Sequence, residues 1–314
     1  MFSRFRSLLT KQPLHLHAVE LGTQVIMVPV AAIQGATGGK TLVVTAGMDG
    51  DESSGIAAAY KLIETYQAGN IAGRLIVLPL VNIPGFQAEC SQNPLDHKFP
   101  KEVFPGRPDG SPTERLVSWL SRTYLEGADV WYDLHSGALH ERLHPFLWTY
   151  KTGVPQVDAW TESFHRQSGA DWILYQPAAL FSKYLSLAKK GCAYVMAEAG
   201  ERGFQREHDS DQHLQWLTAA MVNLHMIEQQ EPRSLHSSTI FQALSYVFAP
   251  TDGIWSPEPL TRAELPARSV LGTYHPLDDI RTHELKTVRV GVPLWWKETM
   301  RMQKGELLCA LARR

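Results

Sequence analysis

The segment that most constrains this chain is Gly73–Asn82, GRLIVLPLVN, which is apolar almost throughout. A strand with one wet face alternates apolar and polar residues, so a short unbroken run points to a strand covered on both sides by helices. The segments around it fit that demand. Gln24–Ala32 (QVIMVPVAA) and Thr41–Ala46 (TLVVTA) are β-branched runs separated by Gly-rich turn residues, and Asp129–Leu134 (DVWYDL) is a further strand candidate. Between them IAAAYKLIETYQ places Ile56, Ala59, Tyr60 and Ile63 on one helical face. SPTERLVSWLSRTYL opens with Ser111, Pro112 and Glu114, the start signal of another helix. Helix at about 156–168, strand at about 171–177, helix at about 179–189 and strand at about 193–198 then alternate. This order predicts an α/β fold with a mixed, mostly parallel central sheet and helices on both faces.

An amphipathic helix is expected over Asp209–Gln230, and the character changes after it. TIFQALSYVFAP, SVLGTYHP, HELKTVRVG and GELLCALARR are short β-rich pieces spaced by Pro, Gly and Asp turns. The chain therefore divides into 1–234 and a small all-β unit over 235–314, with the boundary in EPRSLHSS near 232–237. The stretch from Ile83 to Pro112 lacks periodicity, but Phe86, Phe99, Val103 and Phe104 favour an ordered, functional loop.

Composition narrows the function. A net charge of −2 gives no basic field for nucleic acid or acidic membranes, which leaves a small-molecule substrate as the default partner. No apolar stretch reaches the roughly 20 residues that span a bilayer. The N-terminal MFSRFRSLLTKQPLHLH has only a broken apolar run interrupted by Lys11, so no signal peptide and a cytoplasmic location are expected. Three dispersed cysteines, Cys90, Cys192 and Cys309, argue against a disulfide framework and read as small buried apolar residues.

In α/β sheets ligands bind beyond the carboxyl ends of the strands. Two such places carry chemistry. Asp49-Gly50-Asp51-Glu52 follows TLVVTAGM, and Asp133-Leu134-His135-Ser136-Gly137 closes VWYDL. Asp49, Glu52 and His135 together would make a three-ligand set that leaves one position for water, as in catalytic zinc sites. Taken singly, the acids also fit a solvated helix N-terminus and His135 fits a satisfied core histidine.

GMDGDESSGIAAAYKLI, VNIPGF, PLDHKFPKEVFPG, ERLVSWL, YDLHSG and AEAG occur in an order and spacing that resembles the succinylglutamate desuccinylase/aspartoacylase family of the zinc metallocarboxypeptidase-like clan. The resemblance runs from about 40 to 200, and the β-rich tail is similar to the accessory domain of many members. It implies a zinc carboxypeptidase-like fold and one Zn2+ per chain on Asp49, Glu52 and His135. The family's first ligand is usually His, so Asp49 marks a divergent subgroup. The added negative charge weakens the metal as a Lewis acid and makes Mn2+ or Fe2+ plausible competitors. The resemblance also implies Glu198 as general base, with Glu201 three residues on as its competitor.

The family's Asn and Arg that grip a substrate carboxylate correspond to Lys101 and Glu102, and a further Arg corresponds to Ser91. An Arg fork binds carboxylate bidentately and Lys does not, so the usual clamp is missing. Lys101, Arg142 and His140 are the candidate substrate-binding replacements, with His144 structural and Trp131, Trp148 and Tyr150 read as core. The implied function is a zinc-dependent deacylase that cleaves the amide of an N-acyl amino acid or similar molecule by metal-activated water. Two alternatives stand beside it: a carboxypeptidase or amidase on peptide or cell-wall fragments, and a silent metal-binding protein that recognises a ligand through the same cleft. The β-rich tail would narrow access to the pocket or mediate a homo-oligomer.

Overall fold

The computed structural model describes residues 14–180, 182–228 and 237–314. The helix expected over Asp209–Gln230 runs instead from Glu207 to Asn223, capped at Leu224 and stopped where His225 takes φ +56°. The signal-peptide reading rests largely on residues 1–13, and most of the boundary turn falls in 229–236. Both lie outside the described residues.

The first part of the chain runs β1 (His15–Glu20), β2 (Val25–Gln34), β3 (Thr37–Ala46), α1 (Ser53–Thr65), β4 (Ala72–Leu78), α2 (Ile83–Gln87) and α3 (Pro112–Leu120). It continues through β5 (Val130–His135), β6 (Glu141–Leu143), β7 (Phe146–Lys151), α4 (Pro155–Ser168), β8 (Trp172–Pro177), α5 (Ser182–Lys189), β9 (Ala193–Glu198) and α6 (Glu207–Asn223). The remainder is strand only: β10 (Thr239–Phe241), β11 (Ala243–Phe248), β12 (Gly253–Pro257), β13 (Val270–Pro276), β14 (His283–Lys286), β15 (Val292–Lys297), β16 (Arg301–Met302) and β17 (Leu307–Arg313).

Nine strands form the central sheet in the order β1-β2-β4-β3-β5-β9-β7-β8-β10. Its middle, β4-β3-β5-β9, is parallel, while β2 and β7 join antiparallel to β4 and β9. Alternate side chains of the parallel strands serve two cores, as a sheet covered on both faces requires. Leu42, Val44, Tyr132 and Leu134 pack with Ile56, Ala59 and Leu62 of α1, Phe164 of α4 and Trp216 of α6. Val43 and Trp131 face the other way, onto Leu116 and Leu120 of α3 and Leu187 of α5. Each fully buried Leu of this kind contributes about 1.5–3 kcal/mol. Among the described residues no helix is long and apolar enough to cross a membrane.

Two four-stranded sheets, β11-β17-β15-β6 and β14-β13-β12-β16, pack their apolar faces together through Trp255, Leu271, Trp296 and Leu308. Two short strands cross the 234/235 division expected from the sequence. β10 extends the central sheet beside β8, and β6 pairs with β15, Trp296 opposite Arg142. The predicted helix from Ser111 has its capping box with Glu114, but its last turn, Ser121–Leu125, widens to a π-helix. β1 has no clear signal in HLHAVE, where polar histidines hide the strand.

The Ile83–Pro112 stretch is ordered around buried polar anchors. Asn82 accepts a hydrogen bond from Gly85 N at 3.1 Å and donates to Met48 O and Ser91 O. Asp96 accepts from the Thr113 backbone and hydroxyl. Cys192 and Cys309 are buried and Cys90 is half-buried, all three as free thiols. Trp131 and Tyr150 are buried in the core, and His144 packs its ring against Trp172 and Trp296.

Candidate metal centre

The ends of two adjacent parallel strands build the centre. β3 stops at Ala46, and the chain turns through Gly47 and Met48 so that Asp49 and Glu52 lie between the strand and the first turn of α1. Gly50 is required there: a Cβ would meet Gly85 C and Phe86 N at 2.2 Å, so the loop presses directly on α2. His135 is the last residue of β5, the strand next to β3. Asp49, Glu52 and His135 are 1%, 4% and 0% exposed, and one donor atom from each lies within 4.8 Å of the others.

Both nitrogens of the His135 ring face carboxylates. Nδ1 is 2.8 Å from Glu52 Oε2 and 3.7 Å from Asp49 Oδ2, and Nε2 is 3.1 Å from Asp133 Oδ2. Burial works against a charged imidazole, but Asp133 and Glu52 outweigh it and hold the ring well above its ordinary pKa. Such a ring either carries two protons or keeps one on Nε2 and gives Nδ1 to a cation. The second arrangement is the carboxylate–histidine–metal relay, in which the outer carboxylate fixes tautomer and orientation.

Burial also raises the Glu52 carboxyl well above its usual range, against the pull of His135 and with the push of Asp49. Glu52 Oε2 additionally accepts from Ser136 N at 2.9 Å. Asp49 Oδ1 is buried with no hydrogen-bond partner among the described residues. An orphaned buried carboxylate oxygen is costly unless a cation or donor reaches it. The donor set thus suits one divalent ion: two carboxylates and an imidazole converging, with an oxygen to spare.

Asp133, Thr45 and Tyr194 were not singled out from the sequence, yet they support the centre from below. Asp133 Oδ1 accepts from Thr45 Oγ1 at 2.6 Å, and Oδ2 from the Tyr194 hydroxyl at 3.2 Å. Trp131 Nε1 in turn donates to Thr45 Oγ1 at 2.7 Å. One signal was available: Asp133 stands two residues before His135 on a strand, hence on the same face.

Glu198 ends β9 directly beside His135 in the parallel register. Burial pushes its carboxyl up to about 7; His135 and Lys101 pull the other way, and Asp49 and Glu141 add to the rise. Gly200, two residues on, holds φ at +101° with a Cβ position blocked by Ser54 Oγ, so the chain can leave β9 sharply. For Glu201, burial is outweighed by hydrogen bonds from Arg142 and Arg206 that keep its carboxyl below the usual range. It is committed to ion pairs at 2.9 and 3.0 Å and does not resemble a base.

Lys101, on a single helical turn at Pro100–Glu102, reaches the centre and pairs with Asp49 Oδ2. Arg142 stays at the rim, held by Glu201 at 2.9 Å and Glu298 at 3.2 Å and stacked over the Trp296 ring. His140 is exposed in the turn before β6, its carbonyl accepting from Glu298 N at 2.8 Å. Ser91 donates to Asp51 Oδ1 at 2.7 Å.

Residues 38–224 match the succinylglutamate desuccinylase/aspartoacylase catalytic domain. The chain belongs to this family. A solved succinylglutamate desuccinylase/aspartoacylase from Rhodobacter sphaeroides superposes with a TM-score of 0.83 at 21% identity, covering 96% of this chain and 95% of that one. The product-bound ectoine utilization protein EutE (DoeB) from Ruegeria pomeroyi gives 0.81 at 23% identity, over 92% and 90% of the two chains. These place the carboxypeptidase-like fold of the family over nearly the whole molecule, β-rich tail included. In sequence, the N-alpha-acetyl-L-2,4-diaminobutyric acid deacetylase of Halomonas elongata is 36% identical over 121 residues, 38% of this chain and 35% of that protein. The match therefore spans about a third of that relative.

Proposed function

We propose that this family member is a metal-dependent deacylase that hydrolyses the amide of an N-acyl amino acid or a similar small molecule. The observation that carries the reading is the register of two strand ends, which sets Glu198 beside His135 and so beside the Asp49/Glu52/His135 donors. A divalent ion held there, zinc in our reading, supplies Lewis acidity for the acyl carbonyl and the attacking water. Asp49 Oδ1, Glu52 and His135 Nδ1 would hold it, with Asp133 keeping the second imidazole proton on Nε2. Glu198 takes the proton of the attacking water and hands it to the leaving nitrogen. A carboxyl that titrates near neutrality can do both. Burial of the three donors keeps bulk water from screening the developing charge.

Lys101, Arg142 and His140 remain the proposed substrate-facing groups, under a condition set by their partners. Arg142 reaches a substrate carboxylate only by leaving Glu201 or Glu298. Lys101 has two further N–H donors beyond the one directed at Asp49. The family relationship to an N-acetyl diaminobutyrate deacetylase supports an N-acyl substrate over a peptide.

The test is metal analysis of the purified protein, then turnover of a panel of N-acyl amino acids with the metal found, using wild type and Glu198→Gln. Turnover that persists in Glu198→Gln at the wild-type rate would remove the base from this reading. Absence of any bound divalent ion would remove the reaction and favour a silent ligand-binding protein.

A further inference from the structure

The Asp49 carboxylate is divided between two demands. Oδ2 is taken by the Lys101 ammonium, and Oδ1 is buried without a partner among the described residues. Lys101 is not a loose surface lysine that happened to settle there. Its carbonyl accepts from Lys183 Nζ at 2.8 Å and from the Tyr184 hydroxyl at 3.3 Å, which anchors the turn from α5. Its ammonium lies 5.7 Å from the centre of the Phe99 ring. On the other side of the pair, Gly50 packs against α2 with no room for a Cβ, which fixes the backbone next to Asp49.

We propose that Lys101 is a built-in rival and filter for the metal: by occupying Asp49 Oδ2 it confines Asp49 to one metal-facing oxygen and sets both the affinity and the choice of divalent ion. This rests on the reading of Asp49, Glu52 and His135 as a metal centre. Two consequences follow from elementary electrostatics and coordination. A fixed positive charge next to a divalent cation weakens binding of every such ion. A carboxylate limited to one oxygen favours zinc, which is content with four ligands, over larger, harder ions such as Mn2+ that gain from additional oxygen donors. The pair also explains why an Asp is tolerated at this position. Asp adds a negative charge relative to His, and the ammonium cancels it, so the charge of the donor set is close to that of a His/Glu/His site.

The experiment strips the full-length protein of metal and measures Zn2+ and Mn2+ dissociation constants by chelator competition for wild type, Lys101→Met, Lys101→Gln and the double variant Asp49→Asn/Lys101→Met beside Asp49→Asn. Thermal unfolding of the stripped proteins checks that each is folded. The expected result is that Lys101→Met and Lys101→Gln tighten both ions, Mn2+ by roughly tenfold or more and Zn2+ by less. In the Asp49→Asn background the Lys101→Met effect shrinks, because the shared carboxylate is gone. Unchanged or weaker binding in both Lys101 variants overturns the inference while leaving the metal centre intact. Wild type that binds neither ion overturns the metal centre and this inference together.

Discussion

Beneath the candidate metal centre the polar side chains sit on the central strands and hydrogen-bond one another out of water, whereas around its rim they sit on loops and the short β6 and meet as partly exposed ion pairs. The floor is His135, Asp133, Thr45, Trp131 and Tyr194, all nearly inaccessible and linked at 2.6 to 3.2 Å. The rim is Arg142, Glu201, Arg202, Arg206 and Glu298, with side chains 14% to 37% exposed. Inside, every lost partner strands a polar group in low dielectric; outside, water replaces it. Of the positions where the resemblance expects other residues, Ser91 and Glu102 lie toward the rim, where water can replace a lost partner, whereas Asp49 and Lys101 meet at the buried centre and offset one another's charge.

That contrast can be broken most decisively at Glu198, the proposed general base. Glu198→Gln is expected to lower kcat by about 10²–10⁴-fold with metal content unchanged, measured by turnover and elemental analysis on the same sample. A milder loss would move Glu198 from the floor's chemistry to the rim's. Next in size is a titration on the sheet's helical cover. His165 of α4 is buried against Thr149 Oγ1 at 2.7 Å, and burial lowers its pKa to about 4. The folded value lies below the ordinary 6.5, so the unfolded chain takes up the proton first. Stability is complete above about pH 6.5 and declines as pH falls toward 4, by up to roughly 3 kcal/mol. Denaturant unfolding between pH 7 and 4 should show this component in wild type and not in His165→Gln.

Asp133→Asn should weaken metal binding by about 10–100-fold, because the amide can donate toward Nε2 and unsettle the tautomer that leaves Nδ1 free. Chelator competition reads that effect, and an unchanged affinity would mean the floor does not orient its imidazole. The smallest effect belongs to the rim. Glu298→Gln, which loosens Arg142 and Arg202, should cost less than about 1 kcal/mol in unfolding experiments and less still at high salt. A larger loss there would erase the distinction between the two regions.

The candidate metal donors were legible in the sequence for a physical reason, whereas the Asp133, Thr45 and Tyr194 that support His135 were not. Strand ends in an α/β sheet leave polar residues immediately after apolar runs, and the spacing of Asp49, Glu52 and His135 shows that directly. The parallel strands announced themselves by unbroken apolar runs, and α1 by its single apolar face. The rim was not legible, since its contacts join residues 59 and 156 positions apart with no periodicity to mark them. Three-residue strands such as β6 and β10 are too short to alternate. Arg142 was expected to face substrate, and the ion pairs with Glu201 and Glu298 that already match its charge have no signal in the sequence. Lys101 was recognised as a charge near the centre, but its commitment to Asp49 depends on the path of a 30-residue irregular segment that no local pattern specifies.

The strand β6 carries a consequence for how this molecule can be taken apart. It leaves the His135 loop after only five residues and is hydrogen-bonded into the tail's sheet beside β15. Cutting the chain before the tail would leave that edge bare and free the loop that ends in Arg142. Grafting the tail of a relative onto this body would likewise re-tailor the entrance to the cleft. The tail behaves as a hem sewn through the catalytic fabric, and the two halves must be inherited, engineered or exchanged as one piece.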